Sequence, residues 1–255
     1  MATSTPPPFR VLLDFDGTLV GPNVAILLVQ EFCPNGVELA QTVDQELHNG
    51  KITLREAWAR QAALLPADRI PEMSAWAVQH TPLRAGALEL IELLKRHQVP
   101  TTVVSGGLDF YIHPVLQNAG IRLPVLCDSM ERTVDGRLQV SHPFGHATCR
   151  LCGICKAQVT RTLAHEGTRT VFVGDGSTDR YAAEVADIVF ARRRLKSYCG
   201  AAGVPFYPFE DFAPVTQRMR RWLEGDDPIP LRHAVGVRSS ACPISHSLAI
   251  GFASA

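Results

Sequence analysis

Three clusters of small and acidic residues could do chemistry, and each directly follows a short apolar run: Asp14-Phe15-Asp16-Gly17-Thr18, Ser105-Gly106-Gly107 and Gly174-Asp175-Gly176-Ser177-Thr178-Asp179. Gathered at one place, Asp14, Asp16, Asp175 and Asp179 would repel one another unless a cation sat among them, and ligation by oxygen alone suits a hard ion such as Mg²⁺. Such an ion favours phosphate-bearing partners. The glycines beside Ser105 free backbone N–H groups to approach an anion, and Lys156, at the start of a predicted helix, offers a point charge to the same oxygens. A carboxylate beside a divalent metal and a lysine can attack phosphorus to give an aspartyl-phosphate, which splits one hard displacement into two. Asp14 and Asp16, two residues apart, share one side of an extended chain, so one can be the nucleophile while the other handles protons.

For the clusters to meet, each must stand at the carboxyl end of a strand in one sheet, the edge where open α/β sheets bind ligands. Apolar runs at 9–15, 99–107, 170–176, 186–191 and more weakly 204–209 read as buried strands. Between them, 86–97, 109–120, 156–167 and 178–186 carry helical spacing, and this alternation predicts a doubly wound, Rossmann-like α/β core with a parallel sheet. Residues 22–80 break the alternation with four helical patterns and no convincing strand. This reads as a helical cap over 20–84, inserted into a catalytic core of 1–19 and 85–225, with possible hinges at Gly21-Pro22 and Thr81-Pro82. The Asp-Gly within 132–140 predicts a tight β-hairpin. Residues 226–255 are rich in small residues without a period and are expected to be a poorly ordered tail.

With 255 residues, 46% hydrophobic, the chain is long enough to bury a large core. Its 25 basic residues balance 25 acidic ones, so there is no concentrated basic excess to grip nucleic acid or an anionic membrane surface. The run Ala191-Arg192-Arg193-Arg194-Leu195-Lys196 lacks an accompanying aromatic platform and reads as a solvated helix start near the phosphate-binding edge. No apolar stretch approaches the roughly 20 residues of a membrane span. The first ten residues show no secretory pattern, and the expectation is a cytoplasmic monomer or homodimer acting on a small phosphorylated metabolite.

DFDGT (14–18), SGG (105–107), Lys156 and GDGSTD (174–179) stand in the order of the four motifs of the haloacid dehalogenase superfamily of phosphohydrolases, which the chain resembles over residues 9 to 215. The resemblance implies Asp14 as nucleophile and Asp16 as general acid/base. It also implies that Ser105, Gly106, Lys156 and Thr18 hold the phosphoryl group. Asp14, the Asp16 carbonyl and Asp175 would bind Mg²⁺, with Asp179 supporting that site. The insertion between the first two motifs is similar to the cap of the phosphoserine-phosphatase branch. Longer stretches, SGGLDFYIHPVL (105–116), CGICK (152–156), GDGSTDRYAAEVADIVFARRRL (174–195) and the cap segment 52–66, resemble the methionine-salvage phosphatases of that branch, whose substrate is 2-hydroxy-3-keto-5-methylthiopentenyl-1-phosphate. At the positions where a phosphoserine phosphatase recognises its amino acid, this chain has Asn23 and Gln61, so a substrate charged only at its phosphate is expected.

Cys149, Cys152 and Cys155, with His146 upstream, have a spacing that could supply three thiolates and an imidazole to structural zinc; the alternative is free or redox-active thiols. The alternative within enzymes is a phosphatase of another small phosphate ester, such as phosphoserine, a phosphorylated amino alcohol, a polyol or an antibiotic precursor, and two non-enzymatic readings also remain. One is a phosphoacceptor module that stores phosphate on Asp14, against which stands the acidic motif that follows Lys156; the other is a metal-binding structural protein built on the cysteines. Trp58 and Trp76, in the cap helices, read as core anchors, one of which could line a substrate lid.

Overall fold

Phe9–Leu13 (β1) is apolar at four of its five positions and buried on both faces, which suits the middle of a parallel sheet. The computed structural model describes residues 8–231, and β1 is its central strand. The other strands are Thr101–Leu108 (β2), Val125–Arg132 (β3), Leu138–Ser141 (β4), Arg169–Gly174 (β5), Ile188–Ala191 (β6) and Tyr207–Pro208 (β7). They form one seven-stranded sheet in the order β4-β3-β2-β1-β5-β6-β7, parallel except where β3 meets β4. The fold is therefore the α/β, Rossmann-like class expected from the alternation of strands and helices.

Alternate residues of the strands feed two cores. Phe9, Val11, Leu13, Val103, Val171 and Phe190 pack with the helices Ala87–Arg96 (α5), Asp109–Asn118 (α6) and Ala213–Glu224 (α10). Leu12, Val104, Phe172 and Val189 face the other way, onto Lys156–Leu163 (α7), Arg180–Val185 (α8) and Arg193–Ala202 (α9). The period of two in each strand is what lets one sheet be covered on both sides.

Between β1 and α5 lie four helices, Val24–Phe32 (α1), Gly36–His48 (α2), Leu54–Ala62 (α3) and Ile70–His80 (α4). Asn23 caps α1 by accepting from the Ile26 N–H at 3.1 Å, and Thr53 with Glu56 forms a capping box on α3. Val24, Leu28, Trp58, Met73 and Ala77 belong to the same apolar cluster as the first sheet face, and α4 packs on α6. At the neck, Val20 pairs with Leu83, and Arg84 donates to the carbonyls of Thr18 (2.8 Å) and Gly17 (2.7 Å).

The structure departs from the sequence reading in three places. Val125–Arg132 is a strand, parallel to β2 over its first half and antiparallel to β4 over its second; a buried acid, Asp128, interrupts its apolar run and hides it from a pattern search. The expected strand at 204–209 contracts to Tyr207–Pro208 at the sheet edge, where a proline is tolerated. Helices α9 and α10 extend beyond the sequence reading, and of the basic run Arg193, Arg194 and Lys196 are exposed while Arg192 is buried with a guanidinium N–H on the Gly17 carbonyl at 2.6 Å. The expected disordered tail falls, from residue 232, outside the described residues.

Trp222 anchors α10 with only 4% of its surface exposed and ring centroids at 5.9 Å from Phe9 and 5.5 Å from Tyr207. Urea unfolding of Trp222→Ala should show a loss of about 3–5 kcal/mol. Leu88→Ala, on the exposed face of α5, should stay within about 0.5 kcal/mol of the parent.

Candidate active site

The neighbours of β1 in the sheet are β2 and β5, so the segments following their carboxyl ends are brought together. Asp14, Ser105 and Asp175 consequently line one cavity of about 650 Å³, whose far wall comes from α1, α2 and α3. The three motifs predicted to converge do so. Lys156 completes the group as the first residue of α7: its side chain is almost wholly buried, and its ammonium lies 2.5 Å from Asp14 Oδ1 and 2.6 Å from Asp179 Oδ1.

Both oxygens of Asp14 and of Asp179 are held. Thr18 donates its hydroxyl to Asp14 Oδ2 at 2.9 Å. Asp179 Oδ2 accepts the backbone N–H groups of Asp175 and Gly176, both at 2.9 Å, which closes the 174–179 turn on itself. Burial, and then the facing carboxylate of Asp179, push the Asp14 pKa well above its ordinary value, against the pull of Lys156. Asp175 is pushed up to about 6 by the same two causes in the same order. Burial alone would favour a neutral Lys156, but Asp14 and Asp179 outweigh it, so the ammonium is held more firmly than in water.

Asp16 points elsewhere. Its Oδ1 accepts the Val24 N–H at 2.8 Å and its Oδ2 accepts the Tyr111 hydroxyl at 2.8 Å. Burial raises its pKa to about 6, opposed by those two hydrogen bonds. Ser105 is fully buried and accepts the Gly107 N–H at 3.0 Å, which leaves its hydroxyl proton free to donate. The pairing of β2 with β3 slips between Ser105 and Leu108, so the Ser-Gly-Gly segment bulges toward the cavity. Gly107 leaves room there for a close pair, because a Cβ would overlap both the Tyr111 hydroxyl and Asp16 Oδ2.

The acids fit a hard cation. Among the described residues, one group of three or more potential ligands converges: Asp14, Asp175 and Asp179, with ligand atoms within 4.8 Å of one another. Gly17, at φ 77°, lacks the Cβ that would strike Asp175, so the backbone of the first motif lies against that carboxylate. An all-oxygen donor set of this charge suits Mg²⁺.

Some expected site residues take other places. Thr18 is fully buried, bonded to Asp14 and absent from the cavity wall. Gln61 is buried within α3 and does not line the cavity either, because the helix turns it inward. Asn23 does line it, but its side-chain oxygen is engaged in capping α1. The zinc expectation is not supported. Cys149, Cys152, Cys155 and His146 line a small cavity beside Lys156. His146 Nδ1, however, accepts the backbone N–H groups of Thr148 and Cys149 at 3.2 and 3.1 Å and so serves the turn.

Sequence reasoning missed Tyr111, whose signal was its position in the first turns of the helix that follows the Ser-Gly-Gly bulge. It also passed over Arg193, which opens α9 at the carboxyl end of β6 and reaches Asp175 at 3.6 Å from an uncommon φ of 43°. Gly107→Ala should lower stability by about 1–3 kcal/mol in denaturant titration by forcing apart the buried Tyr111–Asp16 pair. Gly106→Ala meets only Leu54 Cδ2 at 3.7 Å, and a change within about 0.5 kcal/mol is expected.

Known proteins are similar to this chain. The chain is 30% identical over 213 residues to a 2-hydroxy-3-keto-5-methylthiopentenyl-1-phosphate phosphatase of Exiguobacterium sp., covering 83% of this chain and 97% of that one. A protein of the same name from Bacillus cereus is 27% identical over 216 residues, covering 84% and 97%. A solved structure of a phospho-aspartyl intermediate analogue of phosphoserine phosphatase superposes with a TM-score of 0.63 at 23% identity, covering 82% of this chain and 98% of that one, which is a likeness of fold. The model of the haloacid dehalogenase-like hydrolases matches residues 11–184, which carry all four motifs, and the chain belongs to that family.

Proposed function

We propose that this hydrolase removes phosphate from 2-hydroxy-3-keto-5-methylthiopentenyl-1-phosphate, using Asp14 as nucleophile and Asp16 as acid and base. At the coarser level the chain is a phosphoric monoester hydrolase acting on a small phosphate ester. The observation that carries the mechanism is the meeting of Asp14, Ser105, Lys156 and Asp175 at the ends of β1, β2, α7 and β5, with Asp16 held apart from the acids by Val24 and Tyr111.

An oxygen of Asp14 attacks phosphorus as the ester P–O bond breaks, and Asp16 delivers its proton to the leaving oxygen. Asp16, now a carboxylate, takes a proton from water as that water attacks phosphorus of the phospho-Asp14, and phosphate leaves with Asp14 restored. A pKa near 6 suits a group that must give and then take a proton near neutrality. Lys156 and the Ser105 hydroxyl hold the phosphoryl oxygens. Mg²⁺, held by Asp14, Asp175 and the Asp16 carbonyl with Asp179 behind them, would supply positive charge to the phosphoryl oxygens.

The cap wall supports the substrate. Ile26, Leu47, Ile52, Leu54 and Trp58 give the cavity an apolar roof, suited to a thioether tail. Two charges at its rim, Asp44 of α2 and Arg194 of α9, face each other at 3.6 Å. The methionine-salvage relatives agree with that chemistry. The helices over 20–84 act as the lid that shuts out bulk water.

Phosphate release should be Mg²⁺-dependent, should be lost in Asp14→Asn, and should favour the enol phosphate over phosphoserine by about 100-fold or more in kcat/KM. Turnover concentrated on phosphoserine would overturn the substrate, and a phosphorylated Asp14 that never turns over would overturn the enzyme. A second prediction reads the acids without catalysis. Because the folded protein holds the Asp175 proton up to about 6, above the ordinary 3.8, its metal-free stability falls as pH rises through that window. In a chelator, Asp175→Asn should therefore gain on the parent in thermal unfolding from pH 4 to 7. In millimolar Mg²⁺ the order should reverse.

A further inference from the structure

Lys156 follows a long loop, residues 142–155, and the way that loop is held has a use beyond folding. From within, the Cys155 N–H donates to the Phe144 carbonyl at 2.9 Å and the Gly145 N–H to the His142 carbonyl at 3.0 Å. From the core, His142 Nδ1 lies 3.0 Å from Asp128 Oδ1, and Asp128 is completely buried at the end of the parallel half of β3. Gly153 packs so closely on Asp128 that a Cβ there would overlap its carboxylate.

The remaining supports come from the cap. The Leu54 N–H, the first of α3, donates to the Leu151 carbonyl at 3.1 Å, and Arg55 Nε donates to the Cys152 carbonyl at 2.6 Å. Two consecutive residues of a cap helix thus hold two consecutive carbonyls of the loop, five and four residues before Lys156. Arg55 Nη2 also reaches the backbone at Gly145, where a Cβ would crowd it. Arg55 is only half-buried.

We propose that Arg55 is a positioning residue that makes the placement of Lys156 depend on the seating of α3, with the buried Asp128–His142 pair as the base against which it clamps the loop. With α3 seated, the loop carbonyls have donors, the guanidinium faces the pair, and the start of α7 is fixed. With α3 lifted, the Leu151 and Cys152 carbonyls lose these two donors, while the loop's internal bonds, the His142 contact and the Ile154 N–H on Asp128 stay in place. The electrostatics agree with this geometry. Burial pushes Asp128 up to about 8 and His142 down, so the pair favours its uncharged forms. Its charged surroundings are Arg55 on α3, Arg150 in the loop and Lys156 on α7.

The inference rests on the proposed role of Lys156, so its test has one arm that needs no catalysis. Hydrogen exchange on the substrate-free protein should show faster exchange in 149–157 for Arg55→Met, with β1 and β2 unchanged. In the second arm, kcat for p-nitrophenyl phosphate should fall about ten-fold while KM stays within about two-fold, the signature of a misplaced group and not of a lost ligand contact. Arg55→Lys keeps the charge and a donor and should recover most of kcat. Unchanged exchange in 149–157 would overturn the proposal whatever the activity. So would a rise in KM at constant kcat, or a lower melting temperature with kcat unaltered. If the parent protein itself releases no phosphate, it is the phosphatase reading that fails, and the exchange arm still decides the coupling.

Discussion

The ammonium of Lys156 lets two carboxylates be buried side by side at the end of a sheet. Removing Asp14 and Asp179 from water costs several kcal/mol apiece, and a single charge between them offsets that only if the remaining oxygens also find donors. They do: Thr18 serves one oxygen of Asp14, and the amides of Asp175 and Gly176 serve one of Asp179. The chain therefore needs a threonine four residues after Asp14 and a turn that folds back onto its own last acid. Both requirements are visible in DFDGT and GDGSTD. The motifs are short because each contains its own electrostatic support.

Much of the fold was legible for the same reason. Strands that end abruptly in acid and glycine mark the carboxyl edge, and helices α5 to α8 followed from apolar spacing. The strand Val125–Arg132 was not legible, since Asp128 sits where an apolar residue would have completed the pattern. Its burial is a tertiary fact, made tolerable by His142 and by a glycine 25 residues away in the sequence. Thr18 and Gln61 show the opposite limit. A resemblance can assign a position to a site, but whether its side chain faces the ligand or a neighbour depends on local geometry that the motif does not encode. The cysteines show it too, because their spacing suited zinc while His146 was already committed to the backbone of its own turn.

In the proposed reading, core and cap divide the work along chemical lines. The core contributes charge: Asp14, Asp16, Asp175, Lys156 and Arg193 all stand on or just after core strands and helices. The cap contributes an apolar surface through Ile26, Leu47, Leu54 and Trp58, and its one acid in the cavity, Asp44, is answered by Arg194. Charge placed on a rigid sheet edge can be held to a fraction of an ångström, as phosphoryl transfer requires. An apolar roof demands less of geometry and can vary without disturbing the chemistry.

Asp16 is where the two halves meet, and its partners explain why it can differ from Asp14 although they are two residues apart. Asp14 is held by core residues, Thr18 and Lys156. Asp16 is held by Tyr111 of the core and by the Val24 N–H, the first of α1. Asp14 is bridged to the Lys156 ammonium among the other acids, whereas Asp16 accepts from two neutral donors and is left at about 6. Gly17, turning at φ 77° between them and Thr18, directs the chain out of the sheet so that these adjacent acids see different surroundings. The difference in surroundings between these two like residues is thus set by the bend that follows β1, and the same bend leads into α1.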